Sequence, residues 1–325
     1  MSHAARHSER SATSKITLLK DRAAMLAAAR AFFLSRNVME VDVPLCTSHA
    51  CIDENIDLMT VVDGQGSKRY LQSSPEYGMK RLLSEGSGDI YQIGHVFRDG
   101  EVGSRHNPEF SMVEWYRCGF TLEQLVAETA LFIELFLGQQ PCSILTYRAA
   151  MHTYAGIDYV NADEEQLLQC IRKHGIELSA ELAAGNKDDL LNILIGSVVE
   201  PHLGRRQLTA ITDFPATQCA LAEIEISEGA PVAKRFEFYY EGNELANGYR
   251  ELRDPQEQKM RLERSNQARL KKGKEALPVD PLFLDSLRKG FPACCGVAVG
   301  FDRLMMLRHS AAHIKDIIPY CWTES

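Results

Sequence analysis

Two strand-like segments joined by a short glycine-bearing loop constrain the fold of this chain more than any other feature. Residues 90–97 and 110–116 are rich in apolar and aromatic side chains, and Gly100 and Gly103 lie in the loop between them. Apolar runs separated by glycine-containing loops are typical of antiparallel hairpins. The spacing therefore predicts a hairpin, with Arg98 at the start of its loop.

Other segments repeat this arrangement of hairpins between helices. Residues 236–240 and 244–249 flank a predicted turn at Gly242-Asn243. Strands that come as hairpins, rather than as alternating strand–helix units, predict an α+β fold with a mainly antiparallel sheet flanked by helices. Periodicity predicts helices at residues 18–36, 122–137, 188–199, 256–272 and 302–309, and further strands at 39–43, 70–71 and 296–300.

The bulk composition is that of an ordinary globular enzyme. The chain has 325 residues, of which 45% are hydrophobic and 25% charged, so it is long enough to bury a large core. Its formal net charge of −8 offers no general attraction to a phosphate backbone, which weakens the case for tRNA or DNA as a partner. We expect residues 1–17 to be a flexible tail and residues 18–325 to form one domain.

The cysteines and the N-terminus bear on where the protein works. The nine cysteines include no Cys-x-x-Cys pair, and the adjacent Cys294 and Cys295 suit neither an ordinary disulfide nor a zinc site. The first residues are polar and lack the apolar segment of a signal peptide. The apolar stretch 23–34 is interrupted by Arg30 and is too short to cross a bilayer. We therefore expect a cytoplasmic protein that does not bind a membrane.

The strand at residues 110–116 carries an unusual carboxylate. Because side chains alternate along a strand, Phe110, Met112, Glu114 and Tyr116 share one face. Burying an unpaired carboxylate costs several kcal/mol or shifts its pKa. This face is therefore either the wall of a pocket that binds a planar group and a cationic amine, or the solvent face of an edge strand. The strand alone leaves both interpretations open.

The preceding segment favours the pocket. Arg98 would lie at the rim of the hairpin opposite Phe110, and a guanidinium is a planar, permanently charged fork that suits a phosphoryl group. An ordinary surface ion pair is the alternative for Arg98 taken alone. The glycine-bearing loop and the stacking aromatic together point to phosphate binding.

Two later segments add further polar groups. Glu244 and Glu251 are candidate ligands for Mg²⁺, which prefers oxygen ligands and bridges phosphates, although a solvated acidic rim would look the same. In the segment 296–303, small residues would let a ligand approach the strand, or simply pack closely against a neighbour. Arg303 lies near a predicted helix start, where anions are favoured.

Taken in order, these segments resemble the signatures of the class II aminoacyl-tRNA synthetases. The helix and strand ending at Pro44 resemble the first motif, residues 97–116 the second and residues 296–303 the third. Within the class, residues 105–110, 114–116 and 244–248 resemble the lysyl-tRNA synthetases. The resemblance covers about residues 20–310.

Two departures narrow this resemblance. Lysyl-tRNA synthetases carry an N-terminal anticodon-binding domain, whereas the first motif here begins near residue 20, so we expect no such domain. Ala298 also stands where those synthetases have glycine. Both features resemble the truncated paralogues that form the elongation factor P–(R)-β-lysine ligase family. The same family is resembled by residues 74–83, which read Ser-Pro-Glu-Tyr-Gly-Met-Lys-Arg-Leu-Leu.

The resemblance implies a function. The protein would use ATP and Mg²⁺ to activate (R)-β-lysine, or lysine, as an adenylate, and would transfer it to a lysine side chain of elongation factor P. A homodimer is implied, with the apolar face of residues 25–33 and the strand before Pro44 near its interface, and tRNA is not expected as a partner.

The resemblance also implies a role for each candidate residue. Arg98 and Arg303 would be catalytic, clamping the phosphates. The family has glutamate where this chain has Gly100, so Glu101 is the candidate to replace it. The nucleotide would contact Arg98, Glu101, Asn107, Phe110, Glu244, Leu245, Gly300 and Arg303; the amino acid would contact Ser74, Pro75, Glu76, Glu114, Tyr116, Glu251 and Ala298; and Mg²⁺ would bind Glu244 and Glu251.

Three alternatives remain at this stage. The chain could be a truncated synthetase that charges a tRNA or a tRNA-like RNA, or an amide ligase that resembles asparagine synthetase. It could also be a silent paralogue that binds an amino acid and regulates a partner. A silent paralogue would be expected to lose its nucleotide-binding residues, whereas here only position 100 departs.

Overall fold

A computed structural model describes residues 14–183 and 185–325, and two sheets organise them. The large sheet has nine strands and the small one has three. The strands are β1 (Met39–Glu40), β2 (Cys46–Thr47), β3 (Thr60–Val62), β4 (Lys68–Leu71), β5 (Ile90–Phe97), β6 (Glu109–Cys118), β7 (Cys142–Thr146), β8 (Leu208–Pro215), β9 (Ile224–Ser227), β10 (Ala230–Tyr240), β11 (Asn243–Arg250) and β12 (Cys294–Gly300).

Helices cover the large sheet and lie between its strands. They are α1 (Lys15–Leu34), α2 (Glu76–Ser84), α3 (Leu122–Leu137), α4 (Tyr147–Ala150), α5 (Glu164–Lys173), α6 (Ala180–Ala183), α7 (Lys187–Leu194), α8 (Pro255–Lys271), α9 (Pro281–Arg288) and α10 (Phe301–His309). None of the helices in the described residues is both long and apolar enough to span a membrane.

The large sheet is mainly antiparallel. Its order is β1-β5-β6-β12-β11-β10-β8-β7, and β9 pairs with β10. The six central strands pair antiparallel, and only the outer β1 and β7 run parallel to their neighbours. The predicted α+β class and the predicted hairpin of residues 90–116 are confirmed.

The main core lies between one face of this sheet and three helices. Val113 and Trp115 of β6 point into it and are fully buried, together with apolar residues of α1, α3 and α10. The neighbouring side chains on β6 point to the opposite face. β6 is not an edge strand, because it pairs with β5 on one side and β12 on the other, and Met112, Glu114 and Tyr116 on that face are buried. The edge-strand interpretation of residues 110–116 is therefore wrong.

Helix α1 differs from the sequence expectation in two ways. It begins at Lys15 rather than Leu18, because the Ser14 hydroxyl accepts a hydrogen bond from the Thr17 amide. Residues 1–13 of the predicted tail lie outside the described residues. Met25 and Phe33, predicted to lie near a dimer interface, are instead buried in the protein's own core.

The remaining boundary differences are local. The turn between β10 and β11 is Glu241-Gly242, both with positive φ, because Asn243 already pairs with Tyr240 in the sheet. The first strand is limited to Met39–Glu40. The helix predicted over residues 188–199 is α7 followed by a π-helical turn over Ile195–Val199.

Candidate active site

A cavity of about 320 Å³ lies on the face of β6, β11 and β12 that points away from the main core. Phe110, Met112, Glu114 and Tyr116 of β6 all line it, as their alternation predicted. The volume is within the range of small-molecule sites in proteins. Carboxylates cluster at one end of the cavity, and arginines at the other.

Glu114 is the central carboxylate at the first end. Its side chain is 3% exposed, and its two oxygens accept hydrogen bonds from the Ser74 hydroxyl and the Tyr116 hydroxyl, each at 2.7 Å. Burial, followed by the negative charge of Glu76, raises the pKa of Glu114 to about 8. A buried carboxylate is costly to ionise in the empty pocket, so a bound cation stabilises its charged form strongly.

Two more carboxylates share this end, and a buried lysine joins them. Lys80 Nζ lies 2.5 Å from Glu76 Oε1 and 2.6 Å from Glu251 Oε2. Burial raises the pKa of Glu251 to about 7, although the ammonium of Lys80 opposes the shift. Sequence reasoning missed Lys80. Its position four residues after Glu76 on a helix was the available signal.

The floor of this end requires glycine at position 296. A Cβ there would lie 2.3 Å from the Tyr116 ring and 2.5 Å from Glu251 Oε1. Because residue 296 is glycine, the side chains of Tyr116 and Glu251 can pack against the strand there. This is the close packing against a neighbour that the sequence left open beside the approach of a ligand. Ala298 pairs with Glu114 across β12 and β6 and lines the cavity.

The other end holds Arg98 and Phe110. The Arg98 guanidinium lies 5.1 Å from the centre of the Phe110 ring, and its Nε is buried without a hydrogen-bond partner among the described residues. Glu101 Oε1 lies 3.8 Å from Arg98 Nη1, and Gly100 turns the chain with a φ of +72°. The turn at Gly100 thus brings Glu101 to the cavity wall.

Arg303 lies in the first turn of α10 at the same end. Its Nη1 donates to the Glu244 carbonyl oxygen at 2.8 Å, and its Nη2 lies 2.8 Å from His106 Nε2. Burial, followed by the charge of Arg303, lowers the pKa of His106, so the imidazole stays neutral and accepts this hydrogen bond. His106 was missed as a site residue. Leu245 and Gly300 line the same wall.

Pro75 lies outside the main cavity, and Asn107 lines it with its side chain already engaged. Pro75 precedes α2 and lines a neighbouring cavity of about 210 Å³, not the main one. Asn107 lines the main cavity, but its side-chain amide is already engaged: Nδ2 donates to the Glu109 carbonyl oxygen, and Oδ1 accepts from the Trp322 amide. Asn107 therefore shapes the loop around the arginine end of the cavity.

Both members of the predicted Mg²⁺ pair line the cavity, Glu244 beside Arg303 and Glu251 beside Lys80. Lys80 Nζ lies 2.6 Å from Glu251 Oε2, whereas the Glu244 side chain is 40% exposed. Glu237 on the neighbouring β10 is not among the residues that line the cavity, and Arg235 and Tyr239 hold its two oxygens. The described residues hold no cluster of three or more acidic, His or Cys side chains with metal-site geometry.

Comparisons with known proteins show the family to which the chain belongs. A family profile described as "tRNA synthetases class II (D, K and N)" matches residues 3–324. Proteins named elongation factor P–(R)-β-lysine ligase are also similar. Those of Proteus mirabilis and Haemophilus ducreyi are 42% and 40% identical over 313 residues, covering 95% of this chain and 96% and 94% of the relatives. The Salmonella gallinarum protein is 40% identical over 314 residues.

The chain belongs to the elongation factor P–(R)-β-lysine ligase family. It is thus a member of the class II synthetase superfamily, and the use of ATP follows from that membership. We call the arginine end of the cavity the nucleotide end and the carboxylate end the amino-acid end, after the roles that the sequence predicts for their residues.

Proposed function

We propose that this protein is a ligase that activates a diamino acid of the lysine type, with (R)-β-lysine preferred, and transfers it to a lysine side chain of elongation factor P. The observation that carries the proposal is the charge of the amino-acid end. Three carboxylates, those of Glu76, Glu114 and Glu251, face one ammonium, that of Lys80.

This balance leaves two negative charges for a ligand to neutralise. Arg261 also lines the cavity, but its guanidinium is paired with Glu257 at 2.9 Å and donates to backbone carbonyls. A diamino acid carries two ammonium groups, so it matches the pocket, whereas an amino acid with an apolar side chain leaves a buried carboxylate unpaired. Leaving a buried charge unpaired costs several kcal/mol.

The nucleotide end supplies what adenylate formation requires. The substrate carboxylate attacks the α-phosphorus of ATP, an oxygen–phosphorus bond forms, and the bond to pyrophosphate breaks. Arg98 and Arg303 are the groups that would bind the phosphates, and Phe110 would stack on adenine. Positioning and charge stabilisation suffice for this step, so no protein nucleophile is needed.

We propose that Mg²⁺ binds with ATP at Glu244. Mg²⁺ is commonly held by one or two carboxylates together with substrate phosphates, and Glu244 lines the cavity beside Arg303. When bound, the ion would neutralise charge on the phosphates. Glu251 belongs to the amino-acid end instead.

The acceptor is proposed from the relatives, whose name states elongation factor P and (R)-β-lysine, and which this chain matches over nearly their whole length. In the transfer step a neutral lysine ε-amine of the factor attacks the acyl carbon. The carbon–nitrogen bond forms, AMP leaves, and the amine proton passes to solvent.

We also propose that the protein works as a homodimer in the cytoplasm. Leu34 at the end of α1 and Met39 in β1 are 76% and 50% exposed, so apolar surface remains near the first motif although Met25 and Phe33 are internal. Light scattering at micromolar concentration should give the mass of two chains. A monomer at that concentration would contradict this proposal.

Amino-acid-dependent exchange of pyrophosphate into ATP tests the activation step. The substrates compared would be (R)-β-lysine, lysine, 6-aminohexanoic acid, which lacks one ammonium, and norleucine, which lacks the distal one. Exchange should be fastest with the two diamino acids and weakest with norleucine. Equal exchange with norleucine and lysine would contradict the charge argument.

A further inference from the structure

Lys80 is a buried charge that the activation chemistry does not use. It lies in α2 with its side chain 1% exposed, and among the described residues it is not part of the cavity lining. On the basis of the proposed function, we infer that Lys80 is a positioning residue. It neutralises one of the three carboxylates from the side that faces away from the cavity, and so sets the pocket's preference for two ammonium groups.

The geometry gives Lys80 this role. Glu76 is in the first turn of α2 and Glu251 follows the end of β11, so Lys80 ties the helix to the sheet. It holds one oxygen of each carboxylate. The other oxygen of Glu251 lies beside Gly296 at the floor of the site, and both carboxylates line the cavity. Each carboxylate is thus fixed in place while one oxygen stays free for a substrate ammonium.

The thiols and phenols around Lys80 do not alter this charge count, whereas Glu114, with a pKa of about 8, contributes its full charge only above that pH. Burial raises the pKa of Cys51, Tyr77, Tyr116 and Cys294 well above their usual values, so all four remain neutral near pH 7. Burial alone would lower the pKa of Lys80, but Glu251 and Glu76 raise it above its usual value, so the ammonium is permanently charged.

Replacing Lys80 with a neutral residue changes the protonation of the two carboxylates that it contacts. Without Lys80, Glu76 and Glu251 face each other in a buried site, and two close carboxylates cannot both stay ionised near neutral pH. One of them takes up a proton. That proton replaces the charge of Lys80 but not the two ion pairs that fix the carboxylates, and it is lost as the pH rises, so binding becomes weaker and depends more steeply on pH.

The test uses Lys80→Met and Lys80→Gln, with Lys80→Arg as the variant that keeps the charge. Lys259→Gln is the matched control, because Lys259 is exposed on α8 and pairs only with Glu263. Pyrophosphate exchange would be measured with (R)-β-lysine and norleucine between pH 6 and 9, and thermal unfolding would show which variants fold. Lys80→Gln keeps a hydrogen-bond donor, so it tests the same charge if Lys80→Met fails to fold.

At pH 7 we expect the neutral variants to raise KM for (R)-β-lysine by about 10- to 100-fold, with kcat changed less than about threefold. The increase in KM should shrink toward pH 9 as the extra proton is lost. The preference over norleucine should fall about tenfold. Lys80→Arg should keep the wild-type pH profile, and Lys259→Gln should behave as wild type.

Folded neutral variants with the wild-type KM and pH profile would overturn the inference. So would equal losses in kcat at every pH, since they indicate a purely structural role. Neither result would affect the proposed function, which fails separately if the wild-type protein does not respond to (R)-β-lysine or lysine at all.

Discussion

The two ends of the cavity are built on different principles. At the amino-acid end, Glu114 and Glu251 are 3% and 1% exposed, and neighbouring side chains hold both in place. At the nucleotide end, the side chains of Arg98, Arg303 and Glu244 are 24%, 27% and 40% exposed. Under the proposed function, selectivity is therefore concentrated in a buried, preorganised charge pattern, whereas phosphate binding uses guanidiniums that remain charged in water.

The physical reason for the difference lies in the ligands. A diamino acid differs from an amino acid with an apolar side chain mainly in the charge of its second ammonium group. That charge makes a large difference to the binding free energy only in a site that excludes water. Triphosphate carries so much charge that partly solvated arginines suffice. Each prediction below changes one end and asks whether it behaves as this comparison requires.

The largest effect should follow from Glu114→Gln at the buried end. The substitution leaves a substrate ammonium unpaired in a desolvated pocket, which should weaken amino-acid binding by about 2–5 kcal/mol. KM for lysine-type substrates in pyrophosphate exchange would be the readout. Glu109→Gln is the matched control, since Glu109 is exposed on the same strand and pairs with His95. Similar KM values for both variants would contradict the role of Glu114.

The raised pKa of Glu114 predicts that the activity of the protein depends on pH. The pKa of Glu114 is raised to about 8 in the empty pocket, so below that pH an ammonium must displace its proton. kcat/KM for (R)-β-lysine should therefore rise as the pH increases from 6 to 8 and then level off. Glu114→Gln should reduce this rise and leave only the part below a pH of about 7 that ionisation of Glu251 contributes. A wild-type profile that is flat over this range would count against a protonated Glu114.

The next effect belongs to the exposed end. Arg98→Ala removes charge stabilisation from the phosphates and should lower the exchange rate by about 10²–10³, while KM for the amino acid changes little. Arg253→Ala is the control, because that arginine is exposed and pairs with Glu223. If Arg98→Ala raised KM for the amino acid as much as it lowered the rate, the two ends would not be independent.

The smallest effect is expected at Ala298. Ala298 pairs with Glu114 across β12 and β6 and lines the cavity. We propose that its methyl group contacts the end of the substrate at which α- and β-amino acids differ in the position of an amine. Ala298→Gly should shift the preference from (R)-β-lysine toward lysine by about 1–3 kcal/mol. The ratio of kcat/KM for the two substrates measures the shift. An unchanged ratio would remove Ala298 from the account of specificity.

Local sequence signals predicted the elements that local interactions build. The bounds of α3 match the prediction, because a capping box at Thr121 and Gln124 begins the helix and Gly138 ends it. The bounds of β5 also match. The alternation along β6 placed Phe110, Met112, Glu114 and Tyr116 on one face, and all four line the cavity.

Contacts between segments far apart in the sequence could not be predicted in this way. Lys80 becomes part of the site only because α2 meets the end of β11. Glu251, one of the two predicted Mg²⁺ ligands, is paired with Lys80 for the same reason. The side chain of Asn107 is occupied by Trp322, near the other end of the chain. Each case depends on tertiary packing that no local pattern encodes.

The central claim is that the activated amino acid is delivered to a protein. Its most direct test is the intact mass and peptide map of purified elongation factor P after incubation with ATP and (R)-β-lysine, with total tRNA assayed for charging in parallel. We predict that the factor gains one lysyl group on a lysine side chain and that tRNA stays uncharged. Efficient charging of tRNA beside an unmodified factor would contradict the proposal and leave only the adenylation chemistry.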